Sequence, residues 1–240
     1  CNEDVYLLNL LHIFNIYSFA GGPLYFMKSN RIRLNLILIF VFIAVVMFLF
    51  VNKLTTPRTL DKNELLINGL FMFDQPKEIS DFSFLTSNEV TFTKASLQGK
   101  WTLMYFGFAN CPEECPVTMY EMSKLLGVLK DKNYPLEDKQ WVLVTIDPER
   151  DTAESIDKYA KGFAEEFIGV RGSRPMLLNL ATQLAVNNVM PSHKHMDHSH
   201  LDNHVNNIIL INPDAEFAGF FRPPFTTPRL SLTYQSVTSN

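Results

Sequence analysis

A run of eighteen residues, 34–51, most constrains what this chain can fold into, because it contains no charged residue, glycine or proline and is interrupted only by Asn35. As a helix it would be about 27 Å long, which matches the hydrocarbon core of a bilayer. A helix buried in a protein core is the alternative, but the flanking segments provide no fold that would cover it. We therefore expect one transmembrane helix at residues 34–51.

The residues that flank this run predict an uncleaved signal anchor. No small-residue cleavage site follows it, because Asn52, Lys53 and Leu54 come next. Basic residues lie on both sides of the run, and their greater density upstream favours a cytoplasmic amino end. An oxidising exterior also suits a pair of cysteines. We expect a single-pass protein of the bacterial cytoplasmic membrane, with its globular part on the periplasmic or external side.

Four parts are predicted along the chain. They are an N-terminal segment at 1–33, the anchor at 34–51, a linker at 52–70 and a globular domain at 71–240. Met27 directly precedes a basic segment, whereas the chain begins with Cys1, so residues 1–26 are interpreted as a conceptual extension of the reading frame. The alternative is that residues 5–19 form another interfacial or spanning segment.

Composition limits the classes of function. The chain has 240 residues, of which 47% are apolar, enough for one sizeable core. A net charge of −4 and the lack of an extended basic patch argue against nucleic acid as a partner. Of the three cysteines, Cys1 lies outside the predicted domain, so the remaining two are not a disulfide framework. No feature indicates a small-molecule substrate.

Within the domain, predicted strands and helices alternate. Two apolar runs, 101–108 and 141–146, are typical of strands buried on both faces. The other predicted elements are a hairpin at 82–92, helices at 117–130, after Asp151, at 175–186 and at 228–236, and strands at 167–170, 206–211 and 216–221. Strand–helix alternation followed by a terminal hairpin predicts an α/β sandwich with a central mixed sheet.

Two cysteines lie where the strand at 101–108 passes into a helix. A cysteine at the start of a helix lies near unpaired backbone N–H groups and the positive end of the helix dipole, which favours the thiolate. Cys111 and Cys115 are separated by about one helical turn, so their sulfurs can bind one metal ion or each other. A structural disulfide or two core cysteines are the alternative. Asp147 also follows a predicted strand, so we expect it to share a crevice with Cys111.

Histidines form the second candidate cluster. Five of the six occur within twelve residues, at His193, His195, His198, His200 and His204. This composition is typical of metal binding, with an exposed polar loop as the alternative for the first two. His204 directly precedes the strand predicted at 206–211, which fixes its position, so we select it as the third ligand.

Two thiolates and one imidazole form a soft ligand set that suits copper, with Cu(I) favoured by sulfur and Cu(II) accommodated by nitrogen. Zinc is the rival metal, because Cys111, Cys115, His200 and His204 would make a Cys2His2 set. More than eighty residues separate the two pairs, so no finger-like module is implied. The spacing of the residues leaves the choice of metal open.

Four stretches occur in an ordered series between residues 81 and 223. They are 107–116, 147–152, 167–170 and His204, which stands nine residues before Pro213. Together they resemble the Sco/SenC family of membrane-anchored, thioredoxin-like copper proteins. The resemblance implies a thioredoxin-like domain in which Cys111, Cys115 and His204 hold copper. It also implies a metallochaperone, not an enzyme, that assembles the binuclear copper centre of cytochrome c oxidase subunit II.

Two alternatives use the same thiols. One is a thiol–disulfide oxidoreductase that reduces the cysteines of that copper centre, with Cys111 attacking and Cys115 resolving. The other is a peroxide-reducing relative of the same fold. The first would leave His204 without a role.

The chain departs from the family pattern at three positions. Glu114 replaces an apolar residue before the second cysteine, and its charge is expected to raise the pKa of both thiols. Asn203 replaces the aspartate before the ligand histidine, and Ala215 replaces a glycine of the last turn. His198 lies in an Asp-His-Ser string that matches the family better, but its spacing to the strand differs by six residues, so we retain His204.

Overall fold

The computed structural model describes residues 30–55, 59–186 and 207–239. The chain separates into two units, residues 1–56 and 57–240. Helix α1 (Asn30–Thr55) belongs to the first unit and includes one span, Ile32–Lys53, that is long and apolar enough to cross a membrane. This span contains the predicted anchor and is consistent with a membrane anchor. The interpretations of residues 1–26 and 5–19 lie outside the described residues.

The second unit begins with a helix in the segment predicted as a linker. Helix α2 (Lys62–Ile67) starts with a capping box, in which the Asp61 carboxylate accepts the Glu64 N–H at 2.8 Å and Glu64 accepts the Asp61 N–H. Helix α1 continues to Thr55, so residues 52–55 and 62–67 of the predicted linker are helical. The domain boundaries themselves remain predictions.

A six-stranded mixed sheet forms the centre of the domain, in the order β1-β8-β7-β4-β5-β6. The strands are β1 (Leu70–Glu78), β4 (Trp101–Gly107), β5 (Lys139–Thr145), β6 (Phe167–Val170), β7 (Ile208–Ile211) and β8 (Glu216–Phe221). Strands β4, β5 and β6 are parallel, whereas β7 is antiparallel to β4 and β8 is antiparallel to both β7 and β1. The predicted central mixed sheet is therefore confirmed.

Helices and a small hairpin complete the domain. The hairpin pairs β2 (Ser83–Leu85) with β3 (Thr91–Thr93), as predicted, and a 3-10 turn at Lys94–Leu97 follows it. The helices are α3 (Glu114–Asp131), α4 (Ala153–Lys161), α5 (Arg174–Gln183) and α6 (Thr227–Thr238). Each lies within a few residues of its predicted position.

The start of helix α4 corrects one detail of the prediction. The sequence favoured Asp151 and Glu154 as the capping pair, but Thr152 is the N-cap. Its hydroxyl accepts the Ser155 N–H at 3.0 Å, and the Ser155 hydroxyl accepts the Thr152 N–H at 2.9 Å. The Asp151 carboxylate is therefore not needed as the helix cap, and it lies inside the domain.

Apolar clusters cover both faces of the sheet. Alternate residues of a strand point to opposite faces, so Leu103 and Tyr105 of β4 pack with helices α3, α4 and α6. Met104 and Phe106 pack on the other face with helix α5 and the β2–β3 hairpin. These two layers make the predicted α/β sandwich.

The loops that follow β4 and β5 lie side by side. The Ile146 N–H donates to the Gly107 carbonyl at 2.8 Å, which continues the strand pairing one step beyond both strands. Because the strands are parallel, the segments that follow Gly107 and Thr145 leave the same edge of the sheet. This edge carries the candidate site.

Candidate metal centre

A tight turn carries the chain from β4 to the cysteines. The Cys111 N–H donates to the Phe108 carbonyl at 3.3 Å, and helix α3 begins three residues later at Glu114. Gly107, at the end of β4, is required here because an added Cβ would lie 3.0 Å from Cys115 Sγ and 3.2 Å from the Tyr105 ring. The missing side chain lets Cys115 pack directly against the strand.

The two cysteines differ in exposure. Cys111 is half-buried, whereas Cys115 is 4% exposed and lies in the core cluster between helix α3 and the sheet. Both thiols are free, and the backbone N–H of Cys115 donates to Cys111 Sγ at 3.3 Å. The pair thus has an outer and an inner sulfur.

Hydrogen bonding sets the charge on the outer sulfur. The Cys115 side chain, and then the backbone N–H groups of Cys115, Glu113 and Glu114, lower the pKa of Cys111 to about 6. Cys111 is therefore mostly a thiolate at pH 7. The pKa of Cys111 is lowered overall, and the backbone N–H of Glu114 is one of the groups that stabilise its charge. The effect expected from the Glu114 carboxylate stays a prediction.

The inner sulfur is a thiol at neutral pH. Its hydrogen bond with Cys111, and then burial, raise the pKa of Cys115 well above its usual range. The Tyr105 hydroxyl lies 3.9 Å from Cys115 Sγ and can donate to it. At pH 7 the pair therefore carries a single negative charge on Cys111, and one proton remains to be displaced from Cys115 when a cation binds.

Two tyrosines near the sulfurs were not identified as site residues from the sequence. Burial raises the pKa of the Tyr105 phenol above its usual range. Burial and the nearby charges of Cys115 and Cys111 do the same for Tyr159 of helix α4. Helical spacing places Tyr159 on the inward face of α4, but spacing alone gives no distance to residues more than forty positions away.

The acidic segment after β5 reaches the cysteine turn through one residue. Asp151 is 3% exposed, and its Oδ2 accepts the Ala109 N–H at 3.1 Å. Asp147 forms an ion pair with Arg150 at 3.4 Å, and its place in a crevice with Cys111 stays a prediction. Asp151 therefore adds a side-chain contact to the backbone hydrogen bond that joins the two loops.

All five clustered histidines, His193, His195, His198, His200 and His204, lie outside the described residues, as does Asn203. Among the residues that the structure does describe, no three His, Cys, Asp or Glu side chains are grouped as a metal site. Strand β7 begins at Ile208, and Ile209 pairs with Met104, so β7 starts toward the carboxyl end of β4. His204 as the third ligand stays a prediction.

A pair of sulfur donors at one helix start fits a soft metal ion. One sulfur is already a thiolate and the other is hydrogen-bonded to it, so both can face the same ion. Sulfur ligands favour Cu(I) over hard cations such as Mg²⁺ or Ca²⁺. The residues that the structure places together therefore fit copper, and zinc shares the preference for thiolates.

Comparison with known proteins decides the family. The family model for SCO1/SenC matches residues 73–237, which include both cysteines and all of the central sheet except the first three residues of β1. The chain belongs to the SCO1/SenC family. Over 182 residues, this SCO1/SenC protein is 30% identical to a protein of Stutzerimonas stutzeri that is provisionally named as copper-binding, and the match covers 75% of this chain and 87% of the relative.

A human relative matches over a shorter length. The mitochondrial SCO1 homolog of Homo sapiens is 34% identical over 140 residues, which cover 58% of this chain and 46% of the human protein. This SCO1/SenC protein thus spans less than half of its human relative. The activity and partners of the full human protein are not transferred by this match.

Solved structures confirm the thioredoxin-like fold. Copper-bound ScoI of Arabidopsis thaliana superposes with a TM-score of 0.57 at 24% identity, covering 67% of this chain and 98% of that one. BsSco, described as a member of the Sco family of cytochrome c oxidase assembly proteins with a disulfide switch, gives 0.55 at 20% identity, covering 70% and 96%. The predicted thioredoxin-like α/β sandwich is confirmed.

Proposed function

We propose that this SCO1/SenC protein is a metallochaperone that delivers copper to the binuclear copper site of cytochrome c oxidase subunit II or a similar copper protein. In this proposal copper is cargo, held by Cys111, Cys115 and His204. The observation that carries the proposal is the cysteine pair itself, in which Cys111 is a half-buried thiolate that accepts the backbone N–H of Cys115, and Cys115 is a buried thiol. Copper binding by relatives of the same family supports the choice of metal.

The two sulfurs have separate tasks in loading. Cys111, charged and accessible at neutral pH, meets the incoming ion first. Cys115 then gives up its proton to solvent and becomes the second thiolate, because a bound cation stabilises the deprotonated form. The Tyr105 hydroxyl, 3.9 Å from Cys115 Sγ, adds a hydrogen bond to the sulfur that is shielded from water.

Unloading follows from the same asymmetry. An incoming ligand of the client can replace Cys111 first, because this sulfur is the more exposed of the pair. Cys115 leaves last and regains its proton, which its raised pKa favours. Ion and proton therefore exchange at Cys115, and no change in the oxidation state of copper is required.

The membrane placement completes the proposal. Helix α1 is proposed to anchor the protein once in a bacterial cytoplasmic membrane, with the domain on the periplasmic or external side. The apolar span Ile32–Lys53 and the denser positive charge on its amino side support this orientation. A client on the same outer surface would then be within reach of the domain.

A second candidate function is reduction of a client disulfide. A low-pKa thiolate at Cys111 beside a resolving thiol at Cys115 favours it. Cys111 would attack one client sulfur to form a mixed disulfide and release the other as a thiolate. Cys115 would then displace the client, so that the Cys111–Cys115 pair is oxidised by two electrons and the client becomes a dithiol.

Copper titration of the reduced full-length protein in detergent separates the two functions. For the chaperone we expect one tight equivalent of Cu(II) with sulfur-to-copper charge-transfer absorption, altered in His204→Ala. Oxidation of the thiols to a disulfide without retained copper, or loose binding of several equivalents, would favour the reductase. Reduction of a disulfide peptide that proceeds equally in His204→Ala would favour it further.

A further inference from the structure

Asp151 is a buried carboxylate that joins two loops at the site edge of the sheet. Its side chain is 3% exposed, and one oxygen, Oδ2, receives two hydrogen bonds. The Ala109 N–H donates to it at 3.1 Å, and the Thr145 hydroxyl donates at 2.6 Å. Ala109 belongs to the turn that delivers Cys111, and Thr145 is the last residue of β5.

These bonds form a directed chain. Thr145 Oγ1 accepts the Asp147 N–H at 3.1 Å and donates its own hydroxyl proton to Asp151. Hydrogen bonds arranged head to tail polarise one another, and a charged acceptor makes each stronger than a neutral one. The chain Asp147–Thr145–Asp151–Ala109 therefore ties the cysteine turn firmly to the end of β5.

Helix capping does not account for the buried carboxylate. Thr152 and Ser155 already satisfy the first turn of helix α4 through reciprocal hydrogen bonds. The neighbouring Arg150 pairs with Asp147 rather than with Asp151. Burying a carboxylate is costly, and the contacts that offset this cost are the ones that reach Thr145 and the cysteine turn.

A hydrogen bond to Ala109 restrains the turn that positions Cys111, the outer sulfur. It is the second residue of the turn closed by the Cys111 N–H and the Phe108 carbonyl. Two residues before Ala109, the Gly107 carbonyl accepts the Ile146 N–H at 2.8 Å, and this bond joins the same two loops. With two consecutive anchors, the turn has little freedom to rotate Cys111 away from the Cys115 N–H.

We propose that Asp151 is a positioning residue for the cysteine turn: through Ala109 it holds Cys111 against the start of helix α3 in the geometry that binds the soft metal ion. Asp151 does not touch the ion and acts through the backbone. Its relevance to copper rests on the proposed function, whereas its hold on the turn does not. Groups that orient metal ligands in this way typically account for about 10–100-fold in metal affinity.

Asp157, in the helix that follows Asp151, provides a matched control. It is also a buried carboxylate, 4% exposed, and it too accepts one backbone N–H, from Gly169 at 3.0 Å, and one hydroxyl, from Ser87 at 2.5 Å. It has one further partner, Lys161, at 2.8 Å. Its contacts lead to strand β6 and to the β2–β3 hairpin rather than to the cysteines. Asp157→Asn therefore perturbs folding in a comparable way without loosening the turn.

The test compares Asp151→Asn, Thr145→Val and Asp157→Asn in the reduced full-length protein in detergent. Amide hydrogen exchange of the peptide that spans residues 107–112 measures the hold on the turn without copper. We expect exchange about tenfold faster in both variants. The amide oxygen of Asp151→Asn is an uncharged and weaker acceptor for the Ala109 N–H, and Thr145→Val lacks the hydroxyl that donates to Asp151. Asp157→Asn should leave this peptide unchanged, and Thr145→Ser should restore the wild-type rate.

Copper supplies the second measurement. Competition with a chromophoric Cu(I) chelator should show about a tenfold loss of affinity in Asp151→Asn and Thr145→Val, and less than about a twofold loss in Asp157→Asn. Thr145→Val remains available if Asp151→Asn does not fold. Equal effects of Asp151→Asn and Asp157→Asn on the turn would overturn the inference. Failure of the wild-type protein to bind copper would defeat the proposed function alone, because the exchange measurement would still decide the role of Asp151.

Discussion

The backbone N–H of Cys115 donates a hydrogen bond to Cys111 Sγ across 3.3 Å. This contact makes the two sulfurs unequal before any ion arrives. One sulfur receives N–H donors at the start of helix α3 and is charged, while the other is enclosed by Tyr105, helix α3 and the sheet and stays protonated. This difference between the two sulfurs underlies the predictions on their copper binding, their reactivity and the pH dependence of unfolding.

Replacement of either paired cysteine should abolish tight copper binding. Cys111→Ser removes the thiolate, and Cys115→Ser removes the second soft donor, so each variant retains at most one sulfur. Copper affinity of the reduced protein, measured by chelator competition, is the test. Cys1→Ser is the control and should bind as the wild type does. Unchanged affinity in Cys111→Ser or Cys115→Ser would remove the cysteine pair from the proposed site.

Loss of His204 should weaken Cu(II) more than Cu(I). An imidazole nitrogen suits Cu(II), whereas two thiolates suffice for Cu(I). In His204→Ala we expect the sulfur-to-copper charge-transfer band to shift or disappear while Cu(I) competition changes little. His198→Ala is the control, since His198 is the rival ligand. The assignment is wrong if His198→Ala alters the band and His204→Ala does not.

The reactivity of Cys111 should change with a midpoint near pH 6. Only the thiolate reacts, and the pKa of Cys111 is lowered to about 6 from a reference of 9.0. The rate of carbamidomethylation of Cys111, followed by peptide mass spectrometry from pH 4 to pH 9, should rise to a plateau by about pH 7. A midpoint above pH 8 would show that the N–H groups at the start of helix α3 do not stabilise this sulfur.

The same pKa affects the free energy of unfolding. Between pH 6 and pH 9 the unfolded chain binds a proton at Cys111 that the folded chain has released, so this residue stabilises the fold increasingly as pH rises through that window. The contribution is lost as pH falls through 6. Cys115 acts oppositely, because its pKa is raised: its stabilisation is complete below the unfolded pKa and is lost only at higher pH. Urea unfolding of wild type and Cys111→Ser from pH 5.5 to 8 should therefore diverge.

Gly107→Ala should destabilise the domain by about 1–3 kcal/mol, because the new methyl group lies 3.0 Å from Cys115 Sγ and must displace it. Gly127→Ala in helix α3 is the control. Its Cβ meets nothing within 4 Å, so the replacement should stabilise the domain by about 0.5–1 kcal/mol through helix propensity. Thermal unfolding of both variants measures these changes, and an equal response would contradict the close approach at Gly107.

The sequence predicted an element correctly where its residue pattern fits one structure only. Apolar runs predicted β4 and β5, and the Cys-x-x-x-Cys stretch between a strand and a helix predicted the start of α3. The chain was less informative where two residues fit the same pattern. Asp151 and Thr152 both suit a helix cap, and only the folded chain shows that Thr152 caps while Asp151 reaches a turn 42 residues earlier.

Contacts between distant segments account for the rest. In the sequence, Tyr105 is one residue of an apolar strand, and nothing there indicates a role for its hydroxyl. The approach of this hydroxyl to Cys115 depends on the packing of helix α3 on β4. Helix α2 escaped prediction because six residues are too few for a periodic pattern, although the Asp61–Glu64 capping box was present. The contact of Tyr105 with Cys115 is thus set by the folded geometry and not by residue type.

The depth of Cys115 restricts the order of events at the site. Cys115 is 4% exposed and Cys111 is the more accessible sulfur of the pair, so under the proposed function a protein that supplies copper and a protein that accepts it would occupy the same face of the domain. The two encounters therefore exclude each other in time. A chaperone of this kind would meet supplier and acceptor in turn, as an empty and then a loaded species, without a ternary complex that bridges the two.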